Sequence, residues 1–223
     1  LAVIAAPAAD VFGNANGVGG PNRCGPLGFS KPDARYAARV AVVTDHLVDF
    51  PCLPWEIDGK HVDYVVETER VGDPDKIVFG TTRITEDPTR LQIARLAAEF
   101  ARAAGIVRDG WSFQAGASSV ALAINGFLVE MMREKGIRAR FVQAGSTFQT
   151  VQMLREGLVD YVVDGQSFDM EGIDSLRDDP RHVATSAFTA YDFHTKGDFM
   201  GMVDAVFLGA TEVDLDFNAN VAT

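Results

Sequence analysis

Trp111-Ser112-Phe113-Gln114-Ala115-Gly116-Ala117-Ser118-Ser119 is the stretch of sequence that decides the fold. Its first four residues predict a short strand, and residues 116–119 predict a turn. The following residues 120–135 predict a helix that Gly136 ends, and residues 137–143 predict a second strand. A strand, a turn of small residues, a helix and a further strand are typical of a mainly parallel sheet covered by helices. The stretch therefore predicts an α/β fold.

The same alternation continues on both sides. Downstream, a helix is predicted at 147–155 and strands at 159–164 and 203–208. Upstream, Thr85 or Asp87 is placed to cap a helix that Pro88 opens, since a proline at the first helical position loses no needed N–H. Gly105 ends this helix. Its apolar side is predicted to comprise Leu91, Ala94, Leu96, Ala98 and Ala101.

The first third of the chain is less regular. Residues 1–6 predict a buried strand, and residues 40–44 and 61–66 predict strands rich in β-branched side chains. Between the first two of these strands, residues 11–30 are rich in glycine, proline and asparagine and predict a long loop. Long ordered loops are often functional. The change of pattern at about Phe79 to Asp87 predicts the boundary between two α/β units.

Composition excludes several classes of protein. The 223 residues include 47% apolar and 23% charged residues, an ordinary globular balance. The 31 acidic against 20 basic residues give a formal charge of -11, which argues against a nucleic-acid surface. A CoA-type ligand stays possible, because a few local cations and backbone N–H groups can hold its phosphates. Cys24 and Cys52 predict free thiols in a reducing cytoplasm, and no apolar run is long enough to span a membrane.

Three predicted strand ends carry small or polar residues, and ligands in open α/β sheets bind beyond the carboxyl ends of strands. The first is Gln114 to Ser119, where backbone N–H groups and two hydroxyls can approach an anion. A plain helix cap by Ser118 or Ser119 explains the same residues. The second, Gln143 to Thr147, has the same ambiguity.

The third strand end is residues 164–169, where Asp164, Gln166, Ser167 and Asp169 place two carboxylates, an amide and a hydroxyl together. Such a cluster is harder to explain as a turn alone. The chain has no P-loop, no dinucleotide fingerprint and no Ser-His-Asp order. Its histidines and cysteines show no metal-ligand spacing, so no metal site is predicted.

The ordered set of motifs resembles a known family. Residues 4–17 (IAAPAADVFGNANG) resemble the Ala-Asp-x-x-Gly-Asn loop of CoA-transferases. The stretches at 24–28 (CGPLG), 112–116 (SFQAG), 164–169 (DGQSFD) and 212–221 (EVDLDFNANV) are similar to segments of citrate lyase α subunits. The resemblance runs from Leu1 to Thr223 in the same order and with compatible spacings. One departure is Ala117-Ser118-Ser119, where the family usually has a glycine pair.

The resemblance implies a fold of tandem CoA-transferase-like three-layer units with mainly parallel sheets, present as an incomplete pair. Residues 1–86 are expected to be the later part of the first unit and 87–223 most of the second. The chain does not begin with Met and stops before a later Gly-rich segment of the family. We therefore expect this piece alone to have little transferase activity.

The resemblance also implies an activity, which is exchange of the acetyl group of an acetyl thioester for citrate, giving a citryl thioester and acetate. No cofactor is expected to be bound directly. The thiol belongs to a CoA-derived prosthetic group on an acyl carrier protein, or to CoA itself. The implied partners are that carrier, a citryl lyase β subunit and further copies of the same subunit, with no nucleic acid and no membrane. The implied location is the cytoplasm.

The residues implied to carry this chemistry are those at the strand ends. Oxyanion and thioester contacts are expected from Gln114, Gly116, Ser118, Ser119, Gly145 and Ser146. Gln166 and Ser167 are expected to position a carboxylate. Asp164 and Asp169 are expected to organise their loop, because a bare carboxylate would repel citrate.

Other interpretations stay open. One is a transferase for another acid such as citramalate, and another is a non-catalytic thioester-binding or assembly subunit, because fold alone does not fix function. Many enzymes on this fold use a glutamate nucleophile after a strand of the catalytic unit. The equivalent place here reads Ala144-Gly145-Ser146-Thr147 and has no carboxylate. A ternary complex without a covalent enzyme thioester is therefore predicted.

Overall fold

The structure is a computed structural model that describes residues 1–77, 83–191, 196 and 199–221. From residue 88 to residue 191 the chain alternates helices and strands, as predicted, whereas the elements before and after include groups of successive strands. In chain order the elements are β1 (Ala2–Ala5), β2 (Ala8–Asp10), β3 (Ala15–Asn16), α1 (Ser30–Tyr36), β4 (Val40–Thr44), β5 (Leu47–Val48), β6 (Tyr64–Glu67), α2 (Pro88–Ala103), β7 (Ser112–Ala115), α3 (Ser119–Lys135), β8 (Ala139–Ser146), α4 (Phe148–Arg155), β9 (Val159–Ser167), α5 (Met170–Asp178), β10 (His182–Ala184), α6 (Ala187–Tyr191), β11 (Ala205–Phe207), β12 (Glu212–Val213) and β13 (Ala219–Asn220). Short 3₁₀ helices occupy Gly59–His61, Pro74–Lys76 and Met200–Met202.

The larger sheet has five parallel strands in the order β10-β9-β8-β7-β11. Because all five run the same way, their carboxyl ends meet at one edge. Helices α2, α3 and α4 cover one face, where the core includes Trp111, Phe113, Leu128, Val142 and Leu154. The rings of Trp111 and Phe113 stack with centroids 4.5 Å apart.

The smaller sheet is also parallel. Its order is β1-β4-β6, and a three-stranded ribbon, β3-β2-β5, continues beside it. A core of Ile4, Val40, Val42 and Ile57 lies on one face. The prediction that the first strand is buried is only half right, because Val3 on the opposite face is 65% exposed.

The helix ends follow the sequence signals. Asp87, and not Thr85, caps α2, since its carboxylate accepts a hydrogen bond from Arg90 N at 2.8 Å. Gly136 ends α3 in the left-handed conformation that glycine favours, with φ 63°. Leu96, predicted on the apolar side of α2, is 52% exposed instead.

Two strands are longer than predicted. β8 and β9 run to Ser146 and Ser167, so Gly145, Ser146, Gln166 and Ser167 lie within paired strands and not in loops after them. The pairing shifts register between Ala144 and Gly145 and then resumes. The small polar residues predict a turn, but hydrogen bonds between the ends of β8 and β9 keep these two strands paired. The strand predicted at 61–66 begins later, after the 3₁₀ helix, and residues 79–82 of the predicted boundary lie outside the described residues.

Candidate functional site

A cavity of about 460 Å³ opens where the end of β9 meets the loop before α1. The loop contributes Cys24, Pro26, Leu27 and Phe29, and Ser30 is the first residue of α1. The end of β9 and the residue after it contribute residues 165–168. Lys76 and Ile77 complete the wall. The predicted residues Gln166 and Ser167 therefore meet the family-like Cys-Gly-Pro-Leu-Gly segment at one place.

Asp164 lies beneath this cavity and is wholly buried. Its Oδ1 accepts hydrogen bonds from the backbone N–H groups of Ser146 (3.1 Å) and Gln166 (2.9 Å). Its Oδ2 accepts from the hydroxyls of Ser146 (2.6 Å) and Ser167 (2.7 Å). One carboxylate thus joins the ends of β8 and β9.

A histidine that sequence reasoning did not single out completes this cluster. His182 opens β10, and its Nε2 lies 3.4 Å from Asp164 Oδ2 with both side chains fully buried. Its Nδ1 lies 3.0 Å from the hydroxyl of Ser175 on α5. Asp164 therefore also connects β10 to the ends of β8 and β9. No spacing in the sequence indicates the contact, because seventeen residues, including a helix, lie between Asp164 and His182.

Ser146 and Ser167 use their hydroxyls within this cluster. The two oxygens lie 3.1 Å apart, and Ser146 is wholly buried while Ser167 is 6% exposed. The side chain of Gln166 is exposed at the cavity. Of the predicted residues at these strand ends, Gln166 is thus the one best placed to touch a ligand directly, and the substrate contacts of Ser146 and Ser167 stay predictions.

Gly145 and Asp169 shape the floor around Phe168, which lines the cavity. A Cβ built on Gly145 would lie 1.8 Å from the Phe168 ring, so the ring occupies the space of a side chain there. Asp169 caps α5 by accepting from Gly172 N (2.8 Å) and also accepts from Phe148 N (2.7 Å). Burial raises the pKa of Asp169 despite these bonds.

The turn from Gln114 to Ser119 does not line this cavity. Ser118 caps α3, since its hydroxyl accepts from Ala121 N at 3.2 Å. Gly116 N donates to Phe207 O at 3.3 Å, which ties the turn to β11. A Cβ on Gly116 would meet its neighbours at ordinary distances of 3.5 Å or more. The cap interpretation therefore accounts for Ser118, and the catalytic role of Gln114 and Gly116 and the substrate contact of Ser119 stay predictions.

Glu56 fixes the loop that walls the cavity, and sequence reasoning missed it. Its two carboxylate oxygens accept from the backbone N–H groups of Gly17 (3.2 Å) and Leu27 (2.8 Å). Burial raises the pKa of Glu56, although nearby Lys31 and these two bonds act in the opposite direction. Burial and the charge of Glu56 raise the pKa of the Cys24 thiol to about 11, so Cys24 is a neutral thiol at neutral pH.

Asp10, the acid of the Ala-Asp-x-x-Gly-Asn segment, is wholly buried in the smaller unit. It accepts from Phe12 N (2.9 Å), from Asn14 N (3.2 Å) and Nδ2 (2.9 Å), and from Cys52 N (2.9 Å). Burial opposes its charge, but these bonds together lower its pKa. The segment that resembles the family loop thus folds around a buried carboxylate.

The described residues show neither a metal site nor a membrane-spanning helix. They contain no group of three His, Cys, Asp or Glu side chains that could hold a metal ion. In the same part of the chain, no helix has the length and apolarity needed to cross a membrane.

Comparison with known proteins gives consistent matches. The family model described as citrate lyase, alpha subunit, matches residues 1–223. The citrate lyase alpha chains of Haemophilus influenzae and Klebsiella pneumoniae are 41% and 40% identical over the whole of this chain. The chain spans 45% and 44% of the length of these two relatives.

Solved structures agree with these matches. A crystal structure from Streptococcus mutans, described as an alpha subunit of citrate lyase in complex with citrate, is 40% identical, with a TM-score of 0.92 over 99% of this chain and 44% of that one. A Pseudomonas malonate decarboxylase, 18% identical, shares the fold with a TM-score of 0.66 over 99% of this chain and 40% of that one.

Proposed function

Because the chain belongs to the citrate lyase alpha-subunit family, we propose that the full-length subunit exchanges the acetyl group of an acetyl thioester for citrate. The thiol is that of a CoA-derived prosthetic group on an acyl carrier protein, or of CoA itself. The products are a citryl thioester and acetate. Citrate as the acceptor is supported by the Streptococcus mutans relative, whose structure is in complex with citrate.

The exchange takes place in two displacement steps. A carboxylate oxygen of citrate attacks the carbonyl carbon of the acetyl thioester, and the thiolate leaves, so that a mixed acetyl–citryl anhydride forms. The same thiolate then attacks the citryl carbonyl of the anhydride, and acetate leaves. Each step develops negative charge on a carbonyl oxygen, so the site must hold both acyl groups in place and stabilise two oxyanions.

The observation that carries the proposal is the cavity between β9 and the loop before α1. Its volume of about 460 Å³ lies within the roughly 300–1,000 Å³ usual for small-molecule sites. Lys76 supplies a cation that attracts a carboxylate, although its Nζ also lies 3.7 Å from Asp73 Oδ2. Gln166 supplies an exposed amide, while Pro26, Leu27 and Ile77 are apolar. The cation and the amide can bind the carboxylates of an acid, while the apolar side chains remove its carbon skeleton from water.

The lining also supports direct attack by citrate. Among the described residues, the cavity wall carries no carboxylate that could act as a nucleophile. The nearby acids Asp164, Asp169 and Glu56 all have oxygens committed to hydrogen bonds. The helical acids Glu130, Glu134 and Glu156 are exposed, and Glu156 pairs with Arg133. Donor and acceptor are therefore expected to be bound at the same time.

The test uses the full-length subunit with acetyl-CoA and citrate. Initial rates of acetate release should give intersecting double-reciprocal lines. Gln166→Ala should raise the KM for citrate at least tenfold, whereas Gln152→Ala, an exposed amide on α4, should not. Acetyl-CoA alone, followed by borohydride and peptide mass spectrometry, should leave every carboxylate unmodified. Parallel lines, or a stoichiometric modification of one Asp or Glu, would contradict the mechanism. An unchanged KM for citrate in Gln166→Ala would show that citrate does not bind in this cavity.

The partners belong to the same proposal. We expect acetyl-carrier protein to be a better donor than acetyl-CoA, and a citryl lyase β subunit and further copies of the subunit to co-purify. Comparing citrate with citramalate as acceptor measures the preference for the acid. A subunit that binds the thioester without releasing acetate from either acid would be an assembly component and not an enzyme.

A further inference from the structure

A second, smaller cavity gathers basic side chains between α1 and the 3₁₀ helix Gly59–His61. Its volume is about 180 Å³. Its charged lining consists of four bases, Lys31, Arg35, Lys60 and His61, and two acids, Glu56 and Asp58. The whole chain carries a formal charge of -11, whereas this cavity is lined by three cations and a histidine against two acids.

The two acids are already engaged. Asp58 pairs with Lys60, accepting from its ammonium at 2.6 Å and from its backbone N–H at 3.1 Å. Glu56 accepts from the backbone of the cavity-wall loop through both oxygens. Lys31 is close enough to Glu56 to oppose the effect of burial on the pKa of that acid, so its charge is partly balanced. Arg35 and the partly balanced Lys31 are left to attract an anion.

Arg35 is held in a conformation that suits anion binding. Its guanidinium carbon lies 5.9 Å from the centre of the Tyr36 ring and 5.6 Å from the centre of the Phe188 ring. Both rings lie within reach of a cation–π contact, and a planar guanidinium can match two oxygens of a phosphate with its N–H groups. Phe188 and Arg35 both line the cavity.

We propose that this cavity binds a phosphate group of a CoA-type thioester carrier, an inference that rests on the proposed function. The cavity is smaller than the roughly 300 Å³ of ordinary small-molecule sites, so it fits one anionic group and not a whole nucleotide. The Tyr36 ring beside it is 73% exposed and offers a face on which a base can stack. The phosphate comes from free acyl-CoA or from the prosthetic group of the carrier protein.

The test is isothermal titration of the full-length subunit with coenzyme A, 3′-dephospho-coenzyme A, pantetheine and citrate. The variant is Lys31→Gln combined with Arg35→Gln. Its control is Arg90→Gln combined with Arg102→Gln, which removes the same charge from α2. The variant should bind coenzyme A at least tenfold more weakly. Its affinity should also depend less on salt concentration, because fewer ionic contacts remain to be screened. Pantetheine and citrate should bind as before, and the control should match the unmodified protein.

Four results would overturn the site: unchanged binding of coenzyme A by the variant, an equal loss for pantetheine, an equal loss for citrate, or an equal loss in the control. Comparing the KM of the variant for acetyl-CoA and for acetyl-carrier protein identifies the source of the phosphate. Failure of the proposed function is distinguishable. A subunit that binds coenzyme A through Lys31 and Arg35 but releases no acetate retains this site and loses the exchange reaction. If the variant releases acetate with normal kinetics, the phosphate site is contradicted and the proposed exchange reaction is not.

Discussion

Replacing Asp164 with alanine is the most severe test of how the candidate site is built. The change removes the acceptor of four hydrogen bonds, two from backbone N–H groups and two from hydroxyls. It also leaves His182 without the carboxylate 3.4 Å from its Nε2. A buried donor that loses its acceptor typically costs about 1–3 kcal/mol before relaxation.

Because four donors lose their acceptor, we expect Asp164→Ala to lower the free energy of unfolding by about 3–5 kcal/mol, a large part of the roughly 5–15 kcal/mol of an ordinary domain. Asp164→Asn keeps one acceptor oxygen and should fall between alanine and the unmodified protein. The control is Asp178→Ala, which removes an exposed ion pair with Arg177 and should change the unfolding free energy by less than about 1 kcal/mol. The assay is urea unfolding of the full-length subunit, followed by fluorescence. If Asp164→Ala lay within 1 kcal/mol of the unmodified protein, the carboxylate would not be what joins the three strands.

Three further predictions concern packing and ionisation. Gly145→Ala would bring a Cβ to within 1.8 Å of the Phe168 ring, so its melting temperature should fall by the equivalent of about 1–3 kcal/mol; Gly116→Ala, with room for a Cβ, should melt normally, and equal melting of the two would contradict the packing. The Cys24 thiol, with its pKa raised to about 11, should react slowly with iodoacetamide at pH 7 and progressively faster up to pH 11, and mass spectrometry that found rapid labelling at pH 7 would refute the burial of this thiol. Asp10 has a folded pKa below its unfolded value of 3.8, so its stabilisation is present above that pH and is lost as the pH falls through the folded value. In urea unfolding, the loss of unfolding free energy caused by Asp10→Asn should accordingly become smaller below pH 4. A loss that became larger below pH 4 would contradict a lowered pKa for Asp10.

The regular elements of the larger sheet follow from local signals in the sequence. Asp87 with Pro88 begins α2, and Gly136 ends α3, because caps and left-handed glycines act on adjacent residues. The family resemblance and its α/β fold are confirmed by the family model and the relatives. The boundary between the two units and the roles of the site residues stay predictions.

What the sequence could not predict depends on contacts between distant residues. The extra length of β8 and β9 comes from Asp164, whose partners lie on two strands and cannot be identified from adjacent letters. Glu56 sits in an irregular stretch between Trp55 and Ile57, and only the fold brings it to Gly17 and Leu27. Leu96 fits an apolar helix pattern but faces outward, since periodicity gives spacing and not the direction of the core.

The attachment of Gly17 and Leu27 to one carboxylate has a consequence for how the cavity can change over evolution. The residues between them form a closed, tightly packed loop, since a Cβ on Gly20 would lie 2.3 Å from Pro7 O and one on Gly25 would lie 2.6 Å from Ser167 Oγ. Releasing the loop from Glu56 would free residues that each lose about 1–2 kcal/mol of backbone entropy on ordering. A change of Glu56 is therefore expected to loosen the whole wall at once, so the shape of the cavity depends on keeping an acid at position 56.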